Sequence, residues 1–370
     1  MRVVLAPDSF KGSIGAADAA AELAAGWRSV DPTADLIARP MADGGEGTLA
    51  AFAAAVPGSS RMPVTVTGPH GRPVAASWLL LPPTAATPHG TAVIELASTS
   101  GIELLGSRLR PLDAHSVGFG EAIAAALDAG VSQLVLGIGS SASTDGGTGM
   151  LTALGARFAD AEGHAISHGA RGPAAVATAD LSDLRQPPPG GVLVLSDVSN
   201  PLLGARGSAA VFGPQKGMDA AEISAAEAGL RRVAALLPAD PELPGSGAAG
   251  GVGFGLLAWG ARLVPGAAEV AELIDLPEAL SAASVVVTGE GSFDGQSAAG
   301  KAPTHVAALA AAADVPVVLV AGRIAPDADT SAFAAVVSLS HLAGGEDAAR
   351  SAPERWLREA GAVLARASRG

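Results

Sequence analysis

Residues 2–12 read Arg-Val-Val-Leu-Ala-Pro-Asp-Ser-Phe-Lys-Gly, a short apolar run that stops at a polar loop. An apolar run without alternation is typical of a strand buried on both faces of a sheet. Helical spacing follows from Ala16 to Trp27, because Ala19, Leu23 and Trp27 fall on one stripe. The same order of strand, loop and helix recurs over residues 35–55. Two such units predict parallel strands joined by right-handed helical crossovers.

The pattern changes from about residue 62, where short β-type runs follow one another with Gly-Pro turns between them. Close spacing without intervening helices predicts antiparallel or mixed pairing in this part. Further along, the predicted elements are a helix at 117–127, strands at 133–138 and 192–196, a helix ending at 263, strands at 284–288, 315–320 and 335–339, and helices at 304–313 and 346–366. We therefore predict an α/β domain formed by both chain ends, residues 1–60 and 280–370. A second α/β domain with a mixed sheet, residues 61–279, is inserted between them.

Length and composition limit the classes of protein to which the chain can belong. With 370 residues and 49% hydrophobic content, the chain is long enough for two hydrophobic cores, since single cores rarely grow beyond about 250–300 residues. The absence of cysteine excludes disulfides, thiolate metal sites and thiol nucleophiles. The formal charge of −13 argues against nucleic acid and anionic membranes as partners, because both require a basic surface.

The chain start reads as a strand rather than as a signal peptide. No apolar stretch reaches the ~20 residues that cross a bilayer. We therefore expect a soluble cytoplasmic protein without a membrane partner. The sequence leaves the oligomeric state open, with a homodimer as one option.

Lysine is scarce and its placement is selective. Only three lysines occur, against twenty arginines, and Lys11, Lys216 and Lys301 each adjoin a glycine. A compact ammonium approaches a phosphate as a point charge where a planar guanidinium fits less readily. Chance placement in a genome that favours arginine codons is the alternative. Lysines confined to glycine-flanked turns indicate a site that handles phosphate. The only asparagine, Asn200, either belongs to this site or forms an ordinary Asn-Pro turn.

Polar loops follow the carboxyl ends of several predicted strands. Five of them carry acidic residues: 8–13, 43–47, 139–147, 197–200 and 289–295. Open parallel sheets bind ligands at this edge, where helix N-termini offer N–H groups to anions. Each loop alone also suits a helix cap or a tight turn. Together they predict a binding site, because capping does not require Lys11 or Lys301.

Residues 295–302 nearly match the P-loop pattern between a strand and a helix. The match fails at Ala302, where a Ser or Thr hydroxyl holds magnesium in P-loop enzymes. It also begins seven residues beyond the predicted strand end at Thr288. These departures exclude a P-loop enzyme. Lys301, at a helix start beside Pro303, and Lys216 are still predicted phosphate ligands.

The residue types in these loops suit phosphoryl transfer from ATP. Cations and Mg²⁺ neutralise the charge on the γ-phosphoryl group, and one carboxylate accepts the proton of the acceptor hydroxyl. Spacing alone does not separate the base from the metal ligands. Asp197 is the predicted base, because it directly follows a predicted strand and the only asparagine lies three residues on.

The predicted catalytic residues are Asp197, Lys11, Asp8 and Asp43. The predicted substrate and phosphate ligands are Ser9, Gly44, Gly45, Glu46, Ser141, Asp145, Asn200, Lys216, Glu290, Asp294, Lys301 and Arg323, with Arg323 as a ligand of a substrate carboxylate. The predicted Mg²⁺ ligands are Asp197 and Asp294.

At these loops the chain resembles the bacterial-type glycerate kinase family, which phosphorylates D-glycerate with ATP. The matching segments run nearly end to end: residues 6–12, 40–47, 197–204, 211–217, 247–251, 288–291, 294–296 and 300–303. The resemblance implies a Rossmann-like domain joined to a second α/β domain, with the active site in the cleft between them. It also implies D-glycerate as substrate, ATP and Mg²⁺ as cofactors, and 2-phosphoglycerate as the favoured product.

Residues 139–147 depart from the family pattern. The family commonly has Gly-Gly-Ser-Ala-Thr-Asn-Asp-Gly-Gly where this chain has Gly-Ser-Ser-Ala-Ser-Thr-Asp-Gly-Gly. Ser140 restricts close backbone approach, and Thr144 lacks the amide, which argues against a ligand role for position 144. Asp145 and the two glycines after it are retained.

Two other classes of function compete with a kinase. One is a sensor that binds nucleotide or glycerate without turnover, and the other is a phosphatase that uses the same carboxylates for metal-assisted hydrolysis. A sensor needs fewer polar loops, and a phosphatase needs no nucleotide. The sequence therefore favours the kinase.

Overall fold

The computed structural model describes residues 1–295 and 302–369 of the chain. Its strands are β1 (Arg2–Pro7), β2 (Asp35–Ala38), β3 (Ser60–Thr67), β4 (Pro73–Leu81), β5 (Thr91–Glu95), β6 (Gln133–Gly137), β7 (Arg157–Ala159), β8 (Thr178–Asp180), β9 (Val192–Leu195), β10 (Arg262–Val264), β11 (Val285–Phe293), β12 (Val317–Ile324) and β13 (Ala335–Ser338). Its α-helices are α1 (Ala16–Val30), α2 (Thr48–Ala55), α3 (Leu96–Ser100), α4 (Val117–Asp128), α5 (Thr148–Ala153), α6 (Arg171–Ala175), α7 (Ser208–Phe212), α8 (Ala220–Leu236), α9 (Val252–Ala258), α10 (Gly266–Leu273), α11 (Leu276–Ser281), α12 (Ala302–Ala312), α13 (Leu339–Ala343), α14 (Glu346–Ser351) and α15 (Pro353–Ala367). Short 3₁₀ turns lie at Ile102–Leu105, Pro214–Lys216 and Ala248–Gly251. Across these described ranges, no helix combines the length and the apolar character that a membrane span requires.

The first sheet has five parallel strands in the order β13-β12-β11-β1-β2. Its centre joins the two ends of the chain, because β1 pairs with β11 and places Val4 opposite Val286. Neighbouring residues of β12 face different cores: Val320 packs in the cluster that includes α1 and α15, whereas Leu319 packs with Phe293. Burial on both faces explains why these strands are continuous apolar runs. The predicted parallel sheet is confirmed.

The second sheet has six strands in the order β10-β9-β6-β5-β4-β3. Its first four strands are parallel, whereas β4 runs antiparallel to both β5 and β3. A large core covers it, in which Leu136 and Val194 pack with Phe119 of α4 and Phe254 of α9. The mixed pairing predicted from the close-spaced strands is therefore confirmed. Strands β7 and β8 form a separate antiparallel pair.

The chain divides into two compact units. Unit 1 comprises residues 1–42, 50–57 and 267–370, and unit 2 comprises residues 43–49 and 58–266. The first sheet belongs to unit 1 and the second sheet to unit 2. The predicted domain joints near residues 60 and 280 stay a prediction.

One predicted loop is a strand. Residues 289–293 were expected to form a polar loop after a short strand, but β11 continues through them to Phe293. Parallel pairing with β12 sets Ser292 opposite Arg323 and supplies the backbone hydrogen bonds that a loop would lack. The sequence did not predict a strand here because these residues are polar. Whether polar residues form a strand depends on the neighbouring strand with which they pair.

Two predicted helices have different limits. The helix expected to end at residue 263 stops at Ala258, because Gly260 turns the chain with a φ of 92° and leads into β10. The helix expected at 346–366 is divided into α14 and α15, with Pro353 as the first residue of the second helix. The residue before a proline avoids the helical conformation, and proline itself suits the first helical position.

Candidate active site

In unit 1, the loop after β1 is fixed to the neighbouring strand. The N–H of Asp8 donates to the carbonyl oxygen of Gly289 at 2.8 Å, which extends the β1–β11 pairing by one step. The side chain of Asp8 turns back on the loop, since its Oδ1 accepts the N–H of Ser9 at 2.7 Å. Both residues are half-buried. The loop therefore leaves the carboxyl edge of the first sheet in a defined direction.

The tip of the same loop presents Lys11. Phe10 is buried, and Phe10 and Ile14 exchange backbone hydrogen bonds of 2.9 and 3.1 Å. The turn between them leaves Lys11 exposed. A Cβ on Gly291 of β11 would lie 3.1 Å from the backbone nitrogen of Lys11, so the loop packs closely on this strand. Lys11 is thus an exposed ammonium beside the end of β11.

Glu290, Asp294 and Arg323 lie at or beside the same ends of β11 and β12. Glu290 is only 7% exposed within β11. Arg323 is exposed, and its Nε donates to Ser292 Oγ at 3.0 Å. Asp294 directly follows β11. The carboxyl edge of the first sheet therefore carries both signs of charge that the sequence predicted for it.

In unit 2, segment 43–49 lies across the carboxyl ends of β6 and β9. The N–H of Gly139, just beyond β6, donates to the carbonyl oxygen of Gly44 at 2.9 Å. Gly44 has a φ of 91°, and a Cβ there would lie 2.4 Å from the carbonyl oxygen of Leu195, the last residue of β9. A Cβ on Gly137 would lie 2.7 Å from the oxygen of Gly44. Only glycine permits this backbone contact.

Asp43 and Asp197 adjoin the same backbone position in unit 2. Oδ1 of Asp197 accepts the N–H of Gly266 at 2.8 Å. A Cβ on Gly266 would lie 2.3 Å from the carbonyl oxygen of Asp43. The side chain of Asp43 accepts the N–H of Gly45 at 2.9 Å, and both aspartates are exposed. The backbone carbonyl of Asp43 and the side chain of Asp197 thus adjoin the same glycine at the edge of the second sheet.

Asp145 organises the loop after β6 from within. The residue is fully buried, and its Oδ2 accepts the N–H and the hydroxyl of Ser116 at 2.9 and 2.8 Å. Its Oδ1 accepts the N–H of Gly147 at 3.1 Å. Three donors on one carboxylate replace the hydrogen bonds to water that burial removes. The direct ligand role predicted for Asp145 stays a prediction.

Lys216 also contacts the protein itself, which the sequence did not predict. It ends a 3₁₀ turn, is 3% exposed, and donates from Nζ to Ser141 Oγ at 2.8 Å and to the carbonyl oxygen of Ser143. Burial lowers the pKa of Lys216 to about 7, against the opposing effect of the Asp145 charge. The ammonium therefore links its own turn to residues 139–147, and its predicted role towards phosphate stays a prediction.

The remaining predicted residues differ in what they contact. The side-chain amide of Asn200 donates to the carbonyl oxygen of Arg206 at 2.7 Å, which favours the turn interpretation of the only asparagine. Glu46 is exposed. Lys301 and most of the near P-loop lie outside the described residues. The prediction that Lys11, Asp197 and Lys301 act on one ligand stays a prediction.

Sequence reasoning missed Glu95, the last residue of β5. Its side chain is 5% exposed, and Oε2 accepts the N–H of Leu49 at 3.1 Å. Burial raises the pKa of Glu95, while the N–H groups of Leu49 and Gly47 oppose the shift. The same signal that identified the other loops, an acid at a strand end, was present here. The sequence did not identify Glu95 as the end of a strand, because Leu96 and Ala97 continue the apolar run beyond it.

Carboxylates at the two sheet edges have the donor chemistry that magnesium takes from proteins. Within residues 1–295 and 302–369, no group of three or more His, Asp or Glu side chains is arranged to hold a metal ion. Mg²⁺ does not require such a group, because it is usually held by one or two carboxylates together with phosphate oxygens and waters. The carboxylates of Asp197, which is exposed, and of Asp294, which is half-buried, are donors of this kind. The residues present therefore fit Mg²⁺.

Two sheets whose parallel strands end in polar loops define an α/β protein of the class that binds small molecules at the carboxyl edge. Comparison with known proteins narrows this class. The family model described as the glycerate kinase family matches residues 3–369. The chain therefore belongs to the glycerate kinase family.

Individual relatives agree with the family model. The chain is 40% identical to glycerate 2-kinase of Escherichia coli (strain K12), over 88% of this chain and 86% of that protein. It is 39% identical to glycerate kinase of Bacillus subtilis (strain 168), over 99% and 97%. A crystal structure from Salmonella typhimurium LT2, described as a candidate glycerate kinase 2, superposes with a TM-score of 0.83 at 37% identity and covers 100% of this chain and 98% of its own.

These findings confirm three predictions: the family resemblance, the α/β fold class with a parallel and a mixed sheet, and a kinase as the class of enzyme. Neither the sensor nor the phosphatase alternative receives support from them.

Proposed function

We propose that this chain transfers the γ-phosphoryl group of ATP to a hydroxyl of D-glycerate, producing phosphoglycerate and ADP. The observation that carries the proposal is the family match over residues 3–369. The placement of Asp43 and Asp197 beside the same glycine at a sheet edge supports it. The name of the Escherichia coli relative, glycerate 2-kinase, favours the 2-hydroxyl as acceptor and 2-phosphoglycerate as product.

Asp197 is proposed as the general base. Its Oδ1 is held by the N–H of Gly266, which fixes the orientation of an exposed carboxylate. The proton of the glycerate hydroxyl passes to this carboxylate as the hydroxyl oxygen bonds to the γ-phosphorus and the bond to ADP breaks. Asp43, which adjoins the same glycine, is proposed to orient the acceptor.

Exposed cations are proposed to bind the anionic groups of the two substrates. Lys11 presents an ammonium that suits phosphate oxygens, and Arg323 presents a guanidinium that suits the glycerate carboxylate. Asp8 is proposed as a further catalytic residue. The other proposed ligand positions are Ser9, Gly44, Gly45, Glu46, Ser141, Asp145, Asn200, Lys216, Glu290, Asp294 and Lys301.

Mg²⁺ is the proposed cofactor. When bound, it would neutralise charge on the phosphoryl oxygens during transfer. The side chains proposed to hold it are Asp197 and Asp294, because carboxylate oxygens are the ligands that Mg²⁺ takes from proteins.

The proposal is tested by incubating the purified protein with ATP, Mg²⁺ and D-glycerate and following the products by ³¹P NMR, which separates 2- from 3-phosphoglycerate. We expect 2-phosphoglycerate and ADP. No phosphoglycerate across neutral pH would refute the kinase proposal. Phosphate release from phosphoesters without nucleotide would support a phosphatase instead.

The base assignment is tested with Asp197→Asn. We expect kcat to fall about 10²–10⁴-fold, the contribution typical of general base catalysis. Asp240→Asn is the matched control, since Asp240 is also an exposed loop aspartate whose Oδ1 accepts a backbone N–H, that of Glu242 at 2.9 Å. The control should retain wild-type turnover. Wild-type kcat in Asp197→Asn would remove Asp197 from the mechanism.

A further inference from the structure

Glu95 lies at the carboxyl end of a central strand of the second sheet. In the parallel register of β5 and β6 it stands opposite Gly137. The side chain is 5% exposed, so its carboxylate has lost most of its contact with water. Burying a carboxylate is costly unless hydrogen bonds replace the lost hydration. The groups that donate hydrogen bonds to Glu95 in place of water therefore indicate the role of this residue.

Those groups are backbone donors of segment 43–49. Oε2 of Glu95 accepts the N–H of Leu49 at 3.1 Å, and the N–H of Gly47 also stabilises the charged form. Leu49 is the second residue of α2, where the first-turn N–H groups have no partner within the helix. A carboxylate at this point also interacts favourably with the positive end of the helix dipole. Glu95 thus binds the end of the segment that begins at Asp43.

The other end of segment 43–49 is fixed by close backbone packing. Gly44 accepts the N–H of Gly139 and lies against Leu195. Within the segment, the hydroxyl of Thr48 donates to the carbonyl oxygen of Gly45 at 2.7 Å. Among these contacts, the Glu95 carboxylate is the one that depends on a charge. Its loss would release the helix start while leaving the glycine contacts in place.

We propose that Glu95 is a positioning residue for the phosphoryl transfer proposed above: its carboxylate fixes segment 43–49 and thereby sets the orientation of Asp43. The catalytic consequence rests on the proposed function, whereas the contact itself does not. Glu95 touches no substrate in this proposal and acts only through the backbone of residues 47 and 49.

The charge on Glu95 is essential to this role. A carboxylate offers only acceptors, so it serves two converging N–H groups, whereas glutamine places an NH₂ group against one of them. The charged groups that face Glu95 are Glu46, which raises its pKa, and Arg61, which lowers it, in addition to the raising effect of burial. Protonation in mild acid therefore weakens the contact at a higher pH than for an exposed glutamate. The activity of the wild type should fall as Glu95 takes up its proton.

The test compares Glu95→Gln with the wild type by two measurements. Hydrogen exchange with mass spectrometry over residues 43–52 needs no substrate, and we expect faster exchange in the variant. In the kinase assay we expect kcat to fall about 100-fold, the loss that a misplacement of about 1 Å can cause, with a smaller change in KM. The acidic limb of the kcat profile should move to lower pH, which a purely structural defect would not produce.

Glu121→Gln is the matched control. Glu121 of α4 is half-buried and, like Glu95, is a glutamate of unit 2 whose carboxylate accepts a backbone N–H, that of Thr67; it also accepts the Thr67 hydroxyl at 2.9 Å. In this variant exchange should rise around Thr67 and remain unchanged over residues 43–52, with wild-type kcat and pH profile. Glu95→Gln retains nearly the same volume, so it is preferred to Glu95→Ala, which is more prone to unfold.

Unchanged exchange over residues 43–52 in Glu95→Gln would overturn the proposed contact. Faster exchange with wild-type kcat would overturn its catalytic consequence. If the wild type makes no phosphoglycerate, the proposed function fails and the catalytic consequence falls with it, but the exchange measurement still decides whether Glu95 holds the segment.

Discussion

Replacing Lys216 by methionine should change how the stability of the protein depends on pH. Lys216 is 3% exposed, and burial lowers its pKa from 10.5 to about 7. The variant Lys216→Met keeps a long, flexible side chain but removes the titrating group. It also leaves Ser141 Oγ and the carbonyl oxygen of Ser143 without the ammonium donor. For this reason the informative quantity is the pH dependence, and not the stability at a single pH.

The sign follows from proton binding in the two states. Between pH 7 and pH 10.5 the unfolded chain holds a proton on Lys216 that the folded protein has lost. Raising the pH through this window therefore stabilises the folded state, with a slope of up to about 1.4 kcal/mol per pH unit. From pH 7 to pH 9 this one group contributes about 2 kcal/mol of added stability, allowing for partial protonation at the lower limit. The stability gain is complete above the unfolded pKa and absent below the folded one.

Scanning calorimetry at pH 7 and pH 9 measures the effect, since the two units of the chain need not unfold in one step. For a unit of this size, 2 kcal/mol corresponds to about 4–8 °C in Tm. We expect the wild type to gain this much more than Lys216→Met between the two pH values. The control is Lys11→Met, which removes an exposed lysine and should follow the wild type. Equal pH dependence in the wild type and in Lys216→Met would refute the argument.

Two further substitutions test the contacts that shape unit 2. Gly44→Ala combines a φ of 91° with a Cβ 2.4 Å from the oxygen of Leu195, so we expect a loss of about 2–4 kcal/mol in unfolding free energy by urea denaturation. Gly47→Ala has a similar φ of 89° but open space around the new Cβ, so it should lose only about 1 kcal/mol; equal losses would show that the backbone contact is unimportant. Asp219→Ala removes the capping box that Asp219 forms with Glu222 at the start of α8, and should lower the unfolding free energy by about 1 kcal/mol; a Tm equal to the wild type would contradict this.

The buried strands were the part of the fold that the sequence predicted best. β1, β6 and β9 lie within one or two residues of their predicted limits, because each is a short apolar run with a polar or proline-containing boundary. Apolar runs did not predict the full length of the strand Val285–Phe293. Its second half carries Glu290 and Ser292, and only the partner strand β12 makes it a strand. Pairing between distant segments is not encoded in local composition.

Some signals were present in the sequence and were not used. Helix α8 was missed although Asp219 and Glu222 have the spacing of a capping box. The division between α14 and α15 is marked by Pro353, which the helical periodicity on both sides concealed. Asp219, Glu222 and Pro353 are local signals, whereas the strand character of residues 289–293 depends on tertiary pairing with β12.

Strand ends and loop composition predict a sheet edge as the place of the candidate site, and the roles of its residues stay a prediction. The backbone carbonyl of Asp43 and the carboxylate of Asp197 both adjoin Gly266, although more than 150 residues separate the two aspartates in the chain. The burial of Lys216 could not be predicted, because its glycine neighbour resembles an exposed turn. The structure shows instead that this lysine faces Ser141 and Ser143. Whether a polar residue points inward depends on which segment covers it, and local sequence does not report this.

The pairing of β1 with β11 has a consequence for synthesis on the ribosome. Val285, which begins the partner strand, is made roughly 280 residues after Pro7 ends β1. At about 5–20 residues per second, this gap corresponds to roughly 15–60 s of translation. During that time the edge of β1 that pairs with β11 has no partner strand. Residues 58–266 emerge in the same interval and can form their own hydrophobic core. Unit 2 can therefore fold before unit 1, although unit 1 contains the first residues of the chain. Strand β1 is the segment that a chaperone would need to shield.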